Sequence, residues 1–86
     1  MNDTQLLILK TIKRLNKTNH RPVTYKELRR ETFSLMKPDT LLRNVKRLRN
    51  EYNFIMVDDL HIIYVRYSLT DEGRGFVKAL EKGRKK

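Results

Sequence analysis

The residues of this chain with the most capacity for chemistry are cationic and crowd between positions 37 and 50. They are Lys37, Arg43, Lys46, Arg47 and Arg49, with Thr40, Asn44 and Asn50 among them. Arginine presents a planar fork of donors that fits guanine O6 and N7 together, and asparagine fits adenine N6 and N7 in the same way. Lysine and threonine supply single donors suited to phosphate oxygens. Thr24, Lys26 and Arg66 extend the set on either side. What these types share is recognition of a polyanion, not the making or breaking of bonds. No Ser/His/Asp arrangement, HExxH pair or glycine-rich phosphate loop occurs in the chain. His20 and His61 are isolated, without a second ligand or a nucleophile at a useful spacing. Asp58-Asp59 reads as a turn pair, because adjacent side chains of a strand point to opposite faces and do not converge on one ion. No catalytic residue, metal or cofactor is expected, and the chain is not expected to be an enzyme.

The whole composition agrees with a polyanion partner. Of 86 residues, 20 are Lys or Arg and 10 are Asp or Glu, a formal net charge of +10. Residues 1–50 hold 13 Lys and Arg against 4 Asp and Glu, whereas residues 51–86 hold 7 against 6. Such an excess on one half is a footprint for nucleic acid, although a charged face also serves simply to keep a small protein in solution. Leu, Ile, Val and Phe together number 25 of 86, above the roughly 20% below which chains tend to stay disordered. A single small domain with a thin core is expected, one that association with a second copy would help. The absence of cysteine excludes disulfide frameworks, Cys-ligated zinc and thiol nucleophiles. The longest apolar run, Leu6-Leu7-Ile8-Leu9, is far short of the roughly 18 residues of a membrane span, and no charged segment of a signal peptide precedes it. The expected setting is cytoplasmic, or the host cytoplasm if the source is viral, with no membrane partner.

The elements that must position the cations follow from periodicity and punctuation. Asp3 or Thr4 is expected to cap a first helix running to about Lys17, with Leu6, Ile8, Leu9, Ile12 and Leu15 on its inner half. Leu7 lies outside that stripe and either packs within the chain or meets a second subunit. Thr24-x-x-Glu27 has the spacing of a capping box, so a second, short helix begins near Tyr25. It turns Tyr25, Leu28 and Phe33 inward and Lys26, Arg29 and Arg30 outward, and ends between Phe33 and Met36. Pro38 suits the first position of a third helix, where Leu41, Val45, Leu48 and Tyr52 form a narrow apolar seam. Its opposite face carries Thr40, Arg43, Lys46, Arg47 and Asn50. Beyond Tyr52 the period changes to two: Phe54–Val57 and Ile62–Leu69 are rich in β-branched and aromatic residues, with Asp58–His61 between them as a turn. In the second strand Ile63, Val65, Tyr67 and Leu69 share the inner face. Thr70 or Asp71 caps a last short helix that buries Phe76, Val77 and Leu80 and frays at Gly83 into the tail Arg84-Lys85-Lys86. Tyr25, Tyr52 and Tyr67 read as core residues, not as stacking platforms for bases.

Helix, helix, tight turn, helix, hairpin, helix is the plan of a winged helix-turn-helix, an α+β domain expected over residues 1–82 with a basic disordered tail over 83–86. The segments Leu41-Leu42-Arg43-Asn44-Val45-Lys46-Arg47-Leu48 and Tyr67-Ser68-Leu69-Thr70-Asp71-Glu72-Gly73-Arg74 resemble the pattern TLxRxLxRL … YxLTxxGR of winged-helix transcriptional regulators. The nearest types are the MarR and PadR groups and the small winged-helix proteins of archaea and their viruses, and the resemblance spans residues 5 to 80. It implies a sequence-specific protein that binds double-stranded DNA and works as a homodimer. On that plan Thr40, Arg43, Asn44, Arg47 and Asn50 would read bases, while Thr24, Lys26, Lys37, Lys46, Arg49 and Arg66 would hold phosphates. Two departures stand out. Asp58-Asp59 occupies the place where such wings often carry Arg or Lys, which leaves Arg66 as the wing's candidate contact. The chain also ends soon after Leu80, so the first helix, at Leu7, and the last helix must supply any dimer interface. An RNA-binding or ribosome-associated winged helix is the alternative, and a protein-interaction module with incidental charge is a third.

Overall fold

Asn2 opens the first helix, α1 (Asp3–Asn19), by a reciprocal pair of bonds. Its side chain accepts the Gln5 amide at 2.8 Å, and the Gln5 side chain accepts the Asn2 amide at 3.3 Å. The cap therefore falls before Asp3 and Thr4, because those residues would place Leu6 or Leu7 at the position where a capping box needs Glu or Gln. The helix also runs two residues beyond Lys17, until His20 adopts the left-handed conformation at φ 55°. The computed structural model describes the backbone of residues 1–61 and 64–84 and the side chains of residues 1–57 and 65–83.

The second helix, α2 (Tyr25–Thr32), has the expected box: Thr24 Oγ1 accepts the Glu27 amide at 3.2 Å, and Glu27 Oε1 accepts the Thr24 amide at 3.1 Å. It ends earlier than expected, and Phe33 is a correction. Thr32, four residues after the buried Leu28, takes the inward place and donates its hydroxyl to the Leu28 carbonyl at 2.9 Å. Phe33 is left 70% exposed, with the Arg29 guanidinium 5.2 Å from its ring centre. Pro38 then begins α3 (Pro38–Asn50), whose Leu41, Val45 and Leu48 are buried.

The sheet has three antiparallel strands in the order β1-β3-β2: β1 (Val23–Thr24), β2 (Ile55–His61) and β3 (Tyr64–Leu69). β1 was not expected, since two residues are too few to display a period of two. It pairs Val23 with Tyr67 and Thr24 with Arg66. The expected turn at Asp58–His61 is instead the second half of β2, with Asp58 in register with Arg66 and His61 with Tyr64. The register shifts between those two pairs, which lets an edge strand carry residues of low strand preference. Ile62 and Ile63, placed by sequence in the second strand, lie outside the described residues. Tyr67 and Leu69 face inward as expected.

The last helix, α4 (Asp71–Arg84), starts at Thr70, whose hydroxyl accepts the Gly73 amide at 3.0 Å and donates to the Asn53 carbonyl at 2.6 Å. It does not fray at Gly83 but continues to Arg84; Lys85 and Lys86 lie outside the described residues. Gly73 sits against the α3–β2 connection, where a Cβ would run into the Phe54 carbonyl oxygen, with the carbonyl carbon at 3.0 Å. Above this joint Tyr52, Phe54 and Phe76 stack, with ring centres 5.6 and 4.8 Å apart.

One core joins all these elements. Ile8, Leu9 and Ile12 of α1 meet Leu28, Leu41, Val45, Leu48, Val77 and the inner sheet residues Val23, Ile55, Tyr67 and Leu69. Burial of such side chains stabilises by about 1.5–3 kcal/mol each before chain entropy is set against it. Among the described residues no helix is long and apolar enough to cross a membrane. The result is an α+β arrangement of four helices and a small antiparallel sheet, compatible with a winged helix.

Candidate nucleic-acid interface

The inward seam of α3 fixes what its other side presents. With Leu41, Val45 and Leu48 buried, the 100° step per residue sends Arg43, Lys46, Arg47 and Asn50 outward, and all four are exposed. They border one shallow depression together with Glu51. Arg43, Arg47 and Asn50 form a stripe of spacing i, i+4, i+7, about 10 Å long at 1.5 Å rise per residue. Leu42, Lys46 and Arg49 form a parallel stripe on the flank nearer the sheet, where Lys46 and Arg49 share a groove with Val57 and Val65. Lys37, the residue before the first turn of α3, is exposed and makes no side-chain cap bond.

Two of the residues expected to contact bases do not stand with the others. Asn44 is buried, and its Nδ2 donates to the Thr40 carbonyl at 2.8 Å. A short amide can satisfy itself on the turn behind it, and about 60° round the helix from the buried Leu41 it lies on the inner side. Thr40 itself is half-buried. Thr24 is also corrected: its hydroxyl donates to Glu27 Oε1 at 3.0 Å while accepting the Glu27 amide, so the cap uses the proton a phosphate would need. Lys26 is exposed on the first turn of α2. Arg66 is exposed on β3, where its register partner in β2 is Asp58.

The ion pairs are distributed unevenly over the surface. Lys13 pairs with Glu81 at 3.0 Å, Arg14 with Glu31 at 2.6 Å, Arg21 with Glu27 at 2.9 Å, and Arg74 with Asp71. On the outward side of α3 the one pairing among the described residues is Arg47 with Glu51, at a looser 3.6 Å. Arg43, Lys46 and Arg49 have no acidic partner among those residues. Each exposed pair contributes little to stability. The acids neutralise Lys13, Arg14, Arg21 and Arg74, whereas Arg43, Lys46 and Arg49 of α3, like Lys26, Arg29 and Arg30 of α2, stand without an ion pair among the described residues. Glu27 shows the neutralisation most clearly. The Thr24 amide, aided by the Arg21 guanidinium and the Thr24 hydroxyl, holds its carboxyl below the ordinary value despite an opposing effect of burial.

Leu7 is half-buried on α1 and lines a shallow depression with Asp3, Leu6 and Lys10. The position of Leu42 is a feature that the sequence reading passed over. It is 45% exposed on α3, and the signal was present in the 100° that separates it from Leu41. Compared with protein-family models, curated proteins and solved structures, the chain matches none.

Proposed function

We propose that this protein is a winged-helix regulator of the MarR or PadR kind that binds double-stranded DNA in a sequence-specific way, with α3 in the major groove. The observation that carries this reading is the density of cations on the exposed side of α3, where Arg43, Lys46 and Arg49 have no acidic partner among the described residues and Arg47 has only a loose one at 3.6 Å. A protein whose charge served only solubility has no need to set four cations and an asparagine on the outer side of one helix whose other side is buried. An α-helix about 10–12 Å across fits a major groove about 12 Å wide. Arg43, Arg47 and Asn50 are the candidates for base edges, and Lys26, Lys37, Lys46, Arg49 and Arg66 for phosphates. The mixture of Arg and Asn favours duplex DNA over duplex RNA, whose A-form major groove is too narrow to be read by side chains. Paired half-sites read by a homodimer would double the contacts of so small a surface.

The test uses competition between duplex DNA and duplex RNA, followed by substitutions matched in charge. Arg43→Ala should weaken specific binding by about 1–3 kcal/mol and relax the preference at one or two base positions. Lys13→Ala removes the same charge from the far side and should change binding little. Equal losses from the two variants would mean that only net charge matters, and the proposal would fail.

A further inference from the structure

Leucine at position 42 is out of keeping with its surroundings. Among the described residues of α3, Leu41 and Leu48 are almost fully buried, while Leu42 is 45% exposed. It stands in the stripe with Lys46 and Arg49, next to the stripe of Arg43 and Arg47. It also lines a groove of about 260 Å³ between α3 and the inner face of the hairpin, with Val45, Val57 and Val65 as the apolar wall and Lys46 and Arg49 at the rim. A single exposed leucine is ordinary, but here it continues an apolar wall of Val45, Val57 and Val65 beside two cations, an arrangement that fits a ligand with both characters. The cationic rim asks for an anion, and the leucine asks for an apolar group within a few ångströms of it.

The edges of base pairs in the major groove carry acceptors, amino donors and one apolar projection, the 5-methyl group of thymine. We infer that Leu42 reads a thymine 5-methyl, with Lys46 and Arg49 holding phosphates of that same strand. This inference rests on the DNA-binding reading above and adds to it a base preference that the Arg and Asn residues do not supply. It also supplies a second ground for discrimination against RNA, because uracil lacks the methyl group.

The experiment starts from duplex sites selected by the intact protein from a random library. In the best site each thymine is replaced in turn by deoxyuridine, and affinities are measured for the unmodified protein, Leu42→Ala and Leu42→Met. At one thymine, deoxyuridine should weaken the unmodified protein about fourfold, the worth of one buried methyl group. Leu42→Ala should bind the thymine site about as weakly and be indifferent to deoxyuridine there, whereas Leu42→Met should retain the sensitivity. Cytosine and 5-methylcytosine at that position separate the methyl group from the base: the methylated base should bind the unmodified protein more tightly than cytosine, and Leu42→Ala should not distinguish them. Specific binding that is insensitive to deoxyuridine at every thymine, or a sensitivity that Leu42→Ala leaves intact, overturns the inference while the DNA-binding reading stands. Failure to prefer duplex DNA at all overturns both.

Discussion

Gly73 and Gly75 lie two residues apart in α4, and alanine should act on them in opposite directions. At Gly75 an added Cβ meets nothing within 4 Å, so Gly75→Ala only removes the entropic cost of glycine in a helix and should stabilise by about 0.5–1 kcal/mol. At Gly73 the same Cβ collides with the Phe54 carbonyl oxygen and sits 3.1 Å from the Phe54 Cα. These are backbone atoms, so no rotamer change relieves the clash, and α4 must retreat from the α3–β2 connection. Retreat strains the bond from the Thr70 amide to the Phe54 carbonyl, 3.0 Å long, and adds an overpacking cost of about 1–3 kcal/mol. Set against the helical gain, Gly73→Ala should destabilise by up to roughly 2.5 kcal/mol. In a domain of this size each kcal/mol moves Tm by about 4–8 °C. Urea and thermal unfolding followed by far-ultraviolet circular dichroism on both variants measure the contrast directly. A Gly73→Ala protein as stable as Gly75→Ala would refute the close approach at this joint.

Other outcomes follow from the capping and surface chemistry. Because the carboxyl of Glu27 titrates below its ordinary value of 4.5, its contribution is complete above that pH and disappears as pH falls through the lower folded value. Glu27→Gln keeps a capping side chain but no titrating group, so its stability should fall less than that of the unmodified protein between about pH 6 and pH 3; parallel curves would show that Glu27 is not the cause. For DNA binding, about 4–6 phosphate contacts per subunit should give a slope of log K against log salt near −0.9 per contact, and a slope close to zero would remove the polyanion reading. If the functional unit is a homodimer joined through α1, Leu7→Glu should yield a folded monomer that loses affinity for an inverted repeat with half-sites about 10 base pairs apart while keeping its affinity for a single half-site. Sedimentation of the unmodified protein as a monomer, both free and on the full site, would exclude that interface.

The features legible in the sequence are those set by neighbours within one turn. The Thr24–Glu27 box, the proline start of α3, its buried seam and the exposure of Arg43, Lys46, Arg47 and Asn50 depend on spacing alone. Features that depend on competition between side chains were harder to read. Asn44 looks like a base reader by residue type, but its amide donates to the Thr40 carbonyl one turn back. Phe33 looks like core, but Thr32 fills the inward place first. Asn2 outcompetes Asp3 as a cap only because Gln5 reciprocates. Tertiary pairing was hidden altogether: nothing in Val23-Thr24 shows that β3 will recruit it, and Asp58-Asp59 has the composition of a turn yet stays in the ladder through a shift of register. The pairing of Lys13, Arg14 and Arg21 with Glu81, Glu31 and Glu27 joins separate elements, so which cations are neutralised was not visible in a simple count of charge.

The bonds from Thr70 to Asn53 and Phe54 fasten the two ends of the hairpin to each other and to the start of α4. A segment tied in this way at its base is a modular insert, since the free energy of closing it depends only weakly on the length enclosed, roughly 0.6 kcal/mol for each doubling. Descendants of this sequence can therefore lengthen, shorten or exchange the far half of the hairpin at small cost to folding, while positions 70 and 73 stay threonine and glycine. Evolution, or a designer grafting a new peptide there, has a variable arm on a fixed joint. The length of the hairpin can change without repacking the core.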